Sequence, residues 1–263
     1  MLSPDPERLL SSEVAARDAT DYRFSWGTYI GWTILTLGLY SHYGTYRLLQ
    51  RRVDHAKRRI TFSAALWHVL ARRAEAEGRT AGVQAGLDQL SRIHATLEEY
   101  EAKNRRSPAL LVLLRAGAGI GLSVVNFLDA FAPADAAEGP PAVAAVLVGL
   151  FALAQASVGA FINHTLNKDL RFIEAWEDSL NENAAWVLGH LGSPVASVPR
   201  TQPIPRRETA VYVVLSVVTL GLFSIWWRYA LMREGNDHFT HDADAEDRLL
   251  RALGVAAHGA GPP

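Results

Sequence analysis

PALLVLLRAGAGIGLSVVNFLDAF (residues 108–131) and PAVAAVLVGLFALAQASVGAFI (residues 141–162) decide the class of this chain. Each reaches the roughly 20 apolar residues that cross a ~30 Å hydrocarbon core as a helix. Runs of this length are unusual inside a soluble protein of this size. Only APADAAEGP (132–140) separates them, with two acids and no Lys or Arg. The pair therefore reads as a spanning helical hairpin. Residues 50–107 hold 12 Lys and Arg and residues 164–208 hold five, so the positive-inside rule puts those flanks in the cytoplasm and the acidic turn outside.

Two further apolar blocks, Trp26–Leu49 and Thr209–Met232, lie outside the hairpin. They belong to an internal repeat. YIGWTILTLGLYSHYGTYRLLQRRVDH (29–55) aligns without a gap on YVVLSVVTLGLFSIWWRYALMREGNDH (212–238), at a constant offset of 183. Thr36 matches Thr219, Gly38 matches Gly221, Ser41 matches Ser224, and Asp54-His55 matches Asp237-His238. In each copy a nearly pure aliphatic leg precedes the Gly and an aromatic, basic leg follows it. Thr36, Ser41, Thr219 and Ser224 can return hydrogen bonds to carbonyls freed by a bend, which makes an elbow tolerable in lipid. Matching basic and aromatic exits suit the same side of a membrane, so both elements are expected to be re-entrant, turning at Gly38 and Gly221 with both tails inside. The other arrangement, inverted spanning repeats with both termini outside, remains open at this stage.

The Thr-Leu-Gly-Leu-aromatic-Ser element, followed by Trp226, Trp227, Arg228 and Tyr229 in the second copy, resembles the bacterial membrane family known only as a domain of unknown function, number 4234. That resemblance covers roughly residues 26–75 and 209–254. It implies a bacterial inner-membrane protein and supplies no catalytic residue.

Within the hairpin, Gly117 and Gly121, with Gly149 and Gly159 opposite, suggest a small-residue packing face between the two helices. Arg115, about two turns from Pro108, is expected to snorkel back to the headgroups. Beyond the hairpin, Leu166, Leu170, Ile173, Leu180, Ala184, Val187 and Leu191 form a heptad seam interrupted at Glu177. Val83 to Tyr100 carries a matching stripe, so an antiparallel coiled-coil-like cytoplasmic stalk is expected.

The predicted fold is thus all-α and integral to the membrane: one spanning hairpin, two bent repeat elements and a stalk. The segments are a tail (1–25, cytoplasmic or external), a first repeat (26–75), a helix (78–107), the hairpin (108–163), a helix (164–192), a linker (193–208), a second repeat (209–254) and a disordered tail (255–263). A helix after Ser3 as N-cap is expected, and no cleavable signal.

Chemistry is sparse. With no Cys, disulfides, thiolate metal sites and Cys nucleophiles are excluded, and a net charge of −1 argues against a nucleic-acid binder. His238 and Asp242 have the i, i+4 spacing of two ligands on one helix face, but no second cluster supplies the rest, so no metal and no cofactor is expected. Glu174, Glu177 and Asp178 read as exposed helix carboxylates. The expected function is non-enzymatic: a membrane scaffold or organiser whose partners are the lipid bilayer and a second copy or another protein docked through its cytoplasmic helices. The alternative is a transporter or channel subunit built on inverted repeats.

Overall fold

The computed structural model describes residues 5–130, 141–196, 200, 203–219 and 222–255. Every regular element in it is helical: α1 (Pro6–Ala15), α2 (Arg17–Thr20), α3 (Trp26–Leu35), α4 (Leu39–Ala76), α5 (Thr80–Asn104), α6 (Pro108–Ala130), α7 (Pro141–His190), α8 (Thr209–Val218) and α9 (Leu222–Leu253). Asp5, not Ser3, caps α1, accepting from the Glu7 amide at 3.4 Å. Pro108 bars the preceding Ser107 from helical geometry, which separates α5 from α6, and the Ser107 hydroxyl accepts from the Leu110 amide that opens α6.

α6 and α7 pack as an antiparallel pair, with Gly121 under Phe151 and Gly119 beside Gln155. Both are long and apolar enough to cross a membrane, and only 6% of each apolar window is buried. The 132–140 turn lies outside the described residues.

The repeat elements are reversals. Around the first elbow Leu37 and Gly38 have φ of +50° and +93°, and Gly38 donates to the Thr33 carbonyl at 2.7 Å. Thr36 Oγ1 donates to the Trp32 carbonyl (2.7 Å) and accepts from the Tyr40 amide (2.9 Å). In the second copy Thr219 does the same with Leu215 (2.7 Å) and Phe223 (2.9 Å). The leading helix then folds back along the trailing one. Tyr29 and Gly44 would stand about 22 Å apart in an unbroken helix, yet the Tyr29 ring lies directly against Gly44, where a Cβ would collide with it. At the equivalent positions the Tyr212 and Trp227 rings meet at 4.9 Å. Ser41 opens α4 with its amide on the Gly38 carbonyl, Ser224 sits in the first turn of α9, and Gly221 lies outside the described residues.

Beyond the elbows, α4, α7 and α9 run in one direction and α5 runs against them. Trp176 donates its indole N–H to the Ile93 carbonyl at 2.6 Å, Tyr100 stacks on Phe172, and Gly86 sits under Trp186 and Val187. Two apolar layers result. The one nearer the elbows joins Tyr29, Leu48, Leu49, Ile162, Leu166 and Trp227; the far one joins α1, α4, α5, α7 and the end of α9. Leu10 and Val14 of α1 and Leu249 and Leu250 of α9 share that far layer, so the first and last described helices pack in one bundle.

Candidate functional site

Between the apolar layers the two repeat copies meet, and they meet at equivalent positions. Thr45 and Arg228, 183 residues apart, are hydrogen-bonded at 2.6 Å. His55 and His238, again 183 apart, have ring centroids 5.6 Å apart. Between these levels Arg51 donates to Asn236 at 2.8 Å and is held between the Phe24 and Phe239 rings. Two contacts between equivalent residues, with the Arg51–Asn236 contact in sequence order between them, mean that α4 and α9 run parallel. Inverted repeats would send them in opposite directions, so the inverted arrangement left open by the sequence does not hold.

The third level is a buried layer of charge. His55 Nδ1 lies 2.8 Å from Asp21 Oδ1 and its Nε2 lies 2.9 Å from Glu177 Oε1. Arg58 spans Asp21 and Glu246, each at 2.7 Å. Arg59 reaches Glu246 at 2.5 Å, while its Nε lies 3.0 Å from Glu177 without hydrogen-bond alignment, a Coulombic contact. Arg200, from the linker, closes the layer against Glu174, Glu177 and Asp178. His55, Arg59, Glu177, His238, Asp242 and Glu246 are all essentially without solvent contact.

Residues 207–252 match a domain of unknown function, DUF4234. No curated protein and no solved structure matches the chain. The DUF4234 segment spans α8 and nearly all of α9, and so supplies Arg228, His238, Asp242 and Glu246 to the seam. Asp21, Thr45, His55, Arg59 and Glu177 come from outside the matched segment, so the seam needs the rest of the chain.

His55, Glu177 and His238 present donor atoms within 4.8 Å of one another, a spacing that a divalent cation can use. The surrounding groups oppose it. Arg200 Nη1 faces His238 Nδ1 at 3.2 Å as a donor, so a neutral His238 carries its proton on Nε2, where the ion would bind. Arg59 already supplies positive charge to Glu177. The layer is a fixed salt network. It corrects the expected exposure of Glu174 and Glu177, and of the His238–Asp242 face: these groups are buried because Arg59, Arg200 and His55 lie against them.

The electrostatics follow from these contacts. Burial acts to lower His55, but Asp21 and Glu177 outweigh it and push its pKa up to about 9. Burial likewise acts to raise Asp21, which His55 and Arg58 hold well below the usual range. Burial, then the Asp242 charge, push Glu177 up to about 7, whereas burial drives His238 well below 6.5. His55 starts from 6.5 unfolded, so its stabilisation is complete below that pH and is lost as pH rises through about 9. Glu177, raised from 4.5, has the same sign at lower pH. Thermal melts should therefore fall between pH 6.5 and 9 by an amount on the order of 2 kcal/mol, and His55→Gln should flatten that slope. A wild-type profile flat across this window would mean that His55 is neutral in the fold.

The remaining sequence-picked residues fall in two places. Leu166, Leu170, Ile173, Leu180, Val187 and Leu191 are all buried inside this one chain. Of the glycines, close approach falls at Gly121; Gly117, Gly149 and Gly159 have open space where a Cβ would stand. Gly159, with Ala152 and Ala156, lines a cavity instead of facing α6. The Arg115 guanidinium donates to Thr45 at 2.8 Å, the buried hydroxyl that its stem reaches.

Proposed function

We propose that this chain is a non-enzymatic, multi-pass protein of the bacterial inner membrane that organises the inner leaflet. The observation that supports it is the pair of parallel reversals. α3 and α8 are each 10 residues, about 15 Å long, half the hydrocarbon thickness. Ile34, Leu35, Leu37 and Leu39 at the first tip, and Val217, Val218 and Leu222 at the second, are exposed. A soluble protein would leave this apolar surface in water at a large cost. Two wedges entering from the cytoplasm beside one spanning hairpin take up area in the inner leaflet without matching area in the outer one. The charged layer and far core form a rigid cytoplasmic body that fixes the angle between the wedges.

The heptad seam is consumed inside the monomer, so self-association or partner docking through it has no free apolar surface. Association, where it occurs, belongs to the lipid-facing helices or to polar faces of the body. The parallel course of α4 and α9 supports this reading over a transporter built on inverted repeats.

The chain has no native Cys, so topology can be read directly. Single cysteines at the exposed Ser12 and Arg251 should resist an impermeant thiol reagent in intact cells and react after lysis, while one at Ala136 in the acidic turn should react from outside. Labelling of Ser12 and Arg251 variants from outside would overturn the wedge topology.

A further inference from the structure

At the level where the body meets the spanning pair, two guanidinium groups converge with no anion between them. Arg228 is buried, and it donates to Thr45 Oγ1 at 2.6 Å and to Asn163 Oδ1 at 3.1 Å. Arg115 donates to the same Thr45 oxygen at 2.8 Å, and its buried Nε has no partner. Among the described residues neither forms an ion pair, whereas Arg51, Arg52, Arg58, Arg59, Arg200 and Arg207 nearby are each ion-paired or held by a side-chain amide. Thr45 Oγ1 is itself committed as a donor to the Ser41 carbonyl at 2.7 Å. The Thr45 hydroxyl is thus shared by two like charges, and the other side chains that hold Arg228 are an amide, Asn163, and a phenol, Tyr29, with no carboxylate among them.

Such an arrangement is unfavourable unless an anion joins it. Both groups border a cavity of about 570 Å³ between α6, α7, α8 and α9. Its polar lining gathers Arg115, Arg228, Asn163 and Gln155 with the hydroxyl residues Ser216 and Ser224; the rest is apolar, including Leu122, Ala156, Val217 and Trp227. Two forked guanidinium groups match the tetrahedral oxygens of a phosphate. An apolar lining continuing from the phosphate position matches acyl chain.

We propose that Arg115 and Arg228 bind the phosphate of an anionic phospholipid, seated in this cavity. The shared chemistry is a phosphate monoanion. Its assignment to lipid rests on the membrane reading above, whereas the need for an anion rests on the two arginines alone. A bound lipid would tie the second wedge, through α9, to the spanning pair and make the body sense the anionic lipid content of its leaflet.

The test uses the full-length protein, delipidated in a neutral detergent, with three probes: dioleoyl phosphatidylglycerol, dioleoylglycerol, which has the same chains without phosphate, and inorganic phosphate. Phosphatidylglycerol should raise the melting temperature by several degrees and appear as one retained lipid per chain in native mass spectrometry. Dioleoylglycerol should do neither. Arg115→Gln and Arg228→Gln should each weaken retention at least tenfold, with Arg115→Lys retaining most of it. If Arg228→Gln does not fold, the wild-type probes and the Arg115 variants decide. A shift given equally by millimolar inorganic phosphate overturns the lipid assignment. No response to either phosphate probe, or lipid retention unchanged in Arg115→Gln, overturns the site. Failure of the membrane reading shows separately, as release of the protein from membranes by alkaline carbonate.

Discussion

Arg59→Met should lower the stability of the detergent-solubilised protein by about 3–5 kcal/mol, whereas Arg72→Met should leave it unchanged. Both remove an arginine that contacts carboxylate at under 3 Å, Arg59 to Glu246 and Arg72 to Asp5. Surroundings decide between them. Arg72 and Asp5 are about half exposed, and water and salt replace what the pair loses. Arg59 is fully buried among Glu177, Asp242 and Glu246, and its removal leaves three carboxylates facing one another with less compensation. Those carboxylates would respond by taking up protons, so the destabilisation of Arg59→Met should shrink as pH is lowered toward 5. Equal, small effects of the two substitutions would mean that water fills the layer and that the body is not rigid.

Much of the fold was legible because its signals are local. Length and apolarity place α6 and α7, the lack of Pro and Gly between Gly159 and Gly189 lets α7 run on to its end, and the 183-residue offset identifies the two elbows. That Thr36 and Thr219 each return a hydrogen bond to the carbonyl four residues back follows from chemistry that both copies spell out in the same letters.

The charged layer was not legible, for a physical reason. Glu177 looks like a defect in a heptad seam, and His238 and Asp242 look like a mixed polar face, because sequence shows each helix singly. Their partners Asp21, His55, Arg59 and Arg200 come from the N-terminal tail, the first repeat and the linker. One signal was available. If two repeats pack about a twofold axis, equivalent residues meet, so the matched Asp54-His55 and Asp237-His238 pairs pointed to a His–His contact, and a polar residue interrupting the neighbouring seam pointed to what lies beside it. The same rule pairs Thr45 with Arg228, and so draws a buried arginine toward Arg115.

The seam itself yields the other large effect. Ile173→Asp combined with Leu180→Asp should abolish cooperative melting of the helical body, because each residue is 1% exposed and packed inside one chain. Neither new carboxylate would find a ready cation. Arg59 is already shared among three acids, and Leu180 belongs to the far layer, whose buried members are all apolar. Burying one unpaired carboxyl costs several kcal/mol even after it takes up a proton, and two together approach the 5–15 kcal/mol that holds a typical domain. The outcome separates an internal seam from a self-association seam. An internal seam gives a wild-type melting temperature independent of protein concentration and a double variant that loses its transition at unchanged oligomer size. A seam between copies gives a concentration-dependent wild-type transition and a variant that dissociates into chains that still melt cooperatively. Trp176, whose indole N–H is fixed on the Ile93 carbonyl between the two substituted positions, reports on the same contact: Trp176→Phe should cost about 0.5–1.5 kcal/mol for the lost hydrogen bond in the first case, and its effect should not depend on oligomeric state.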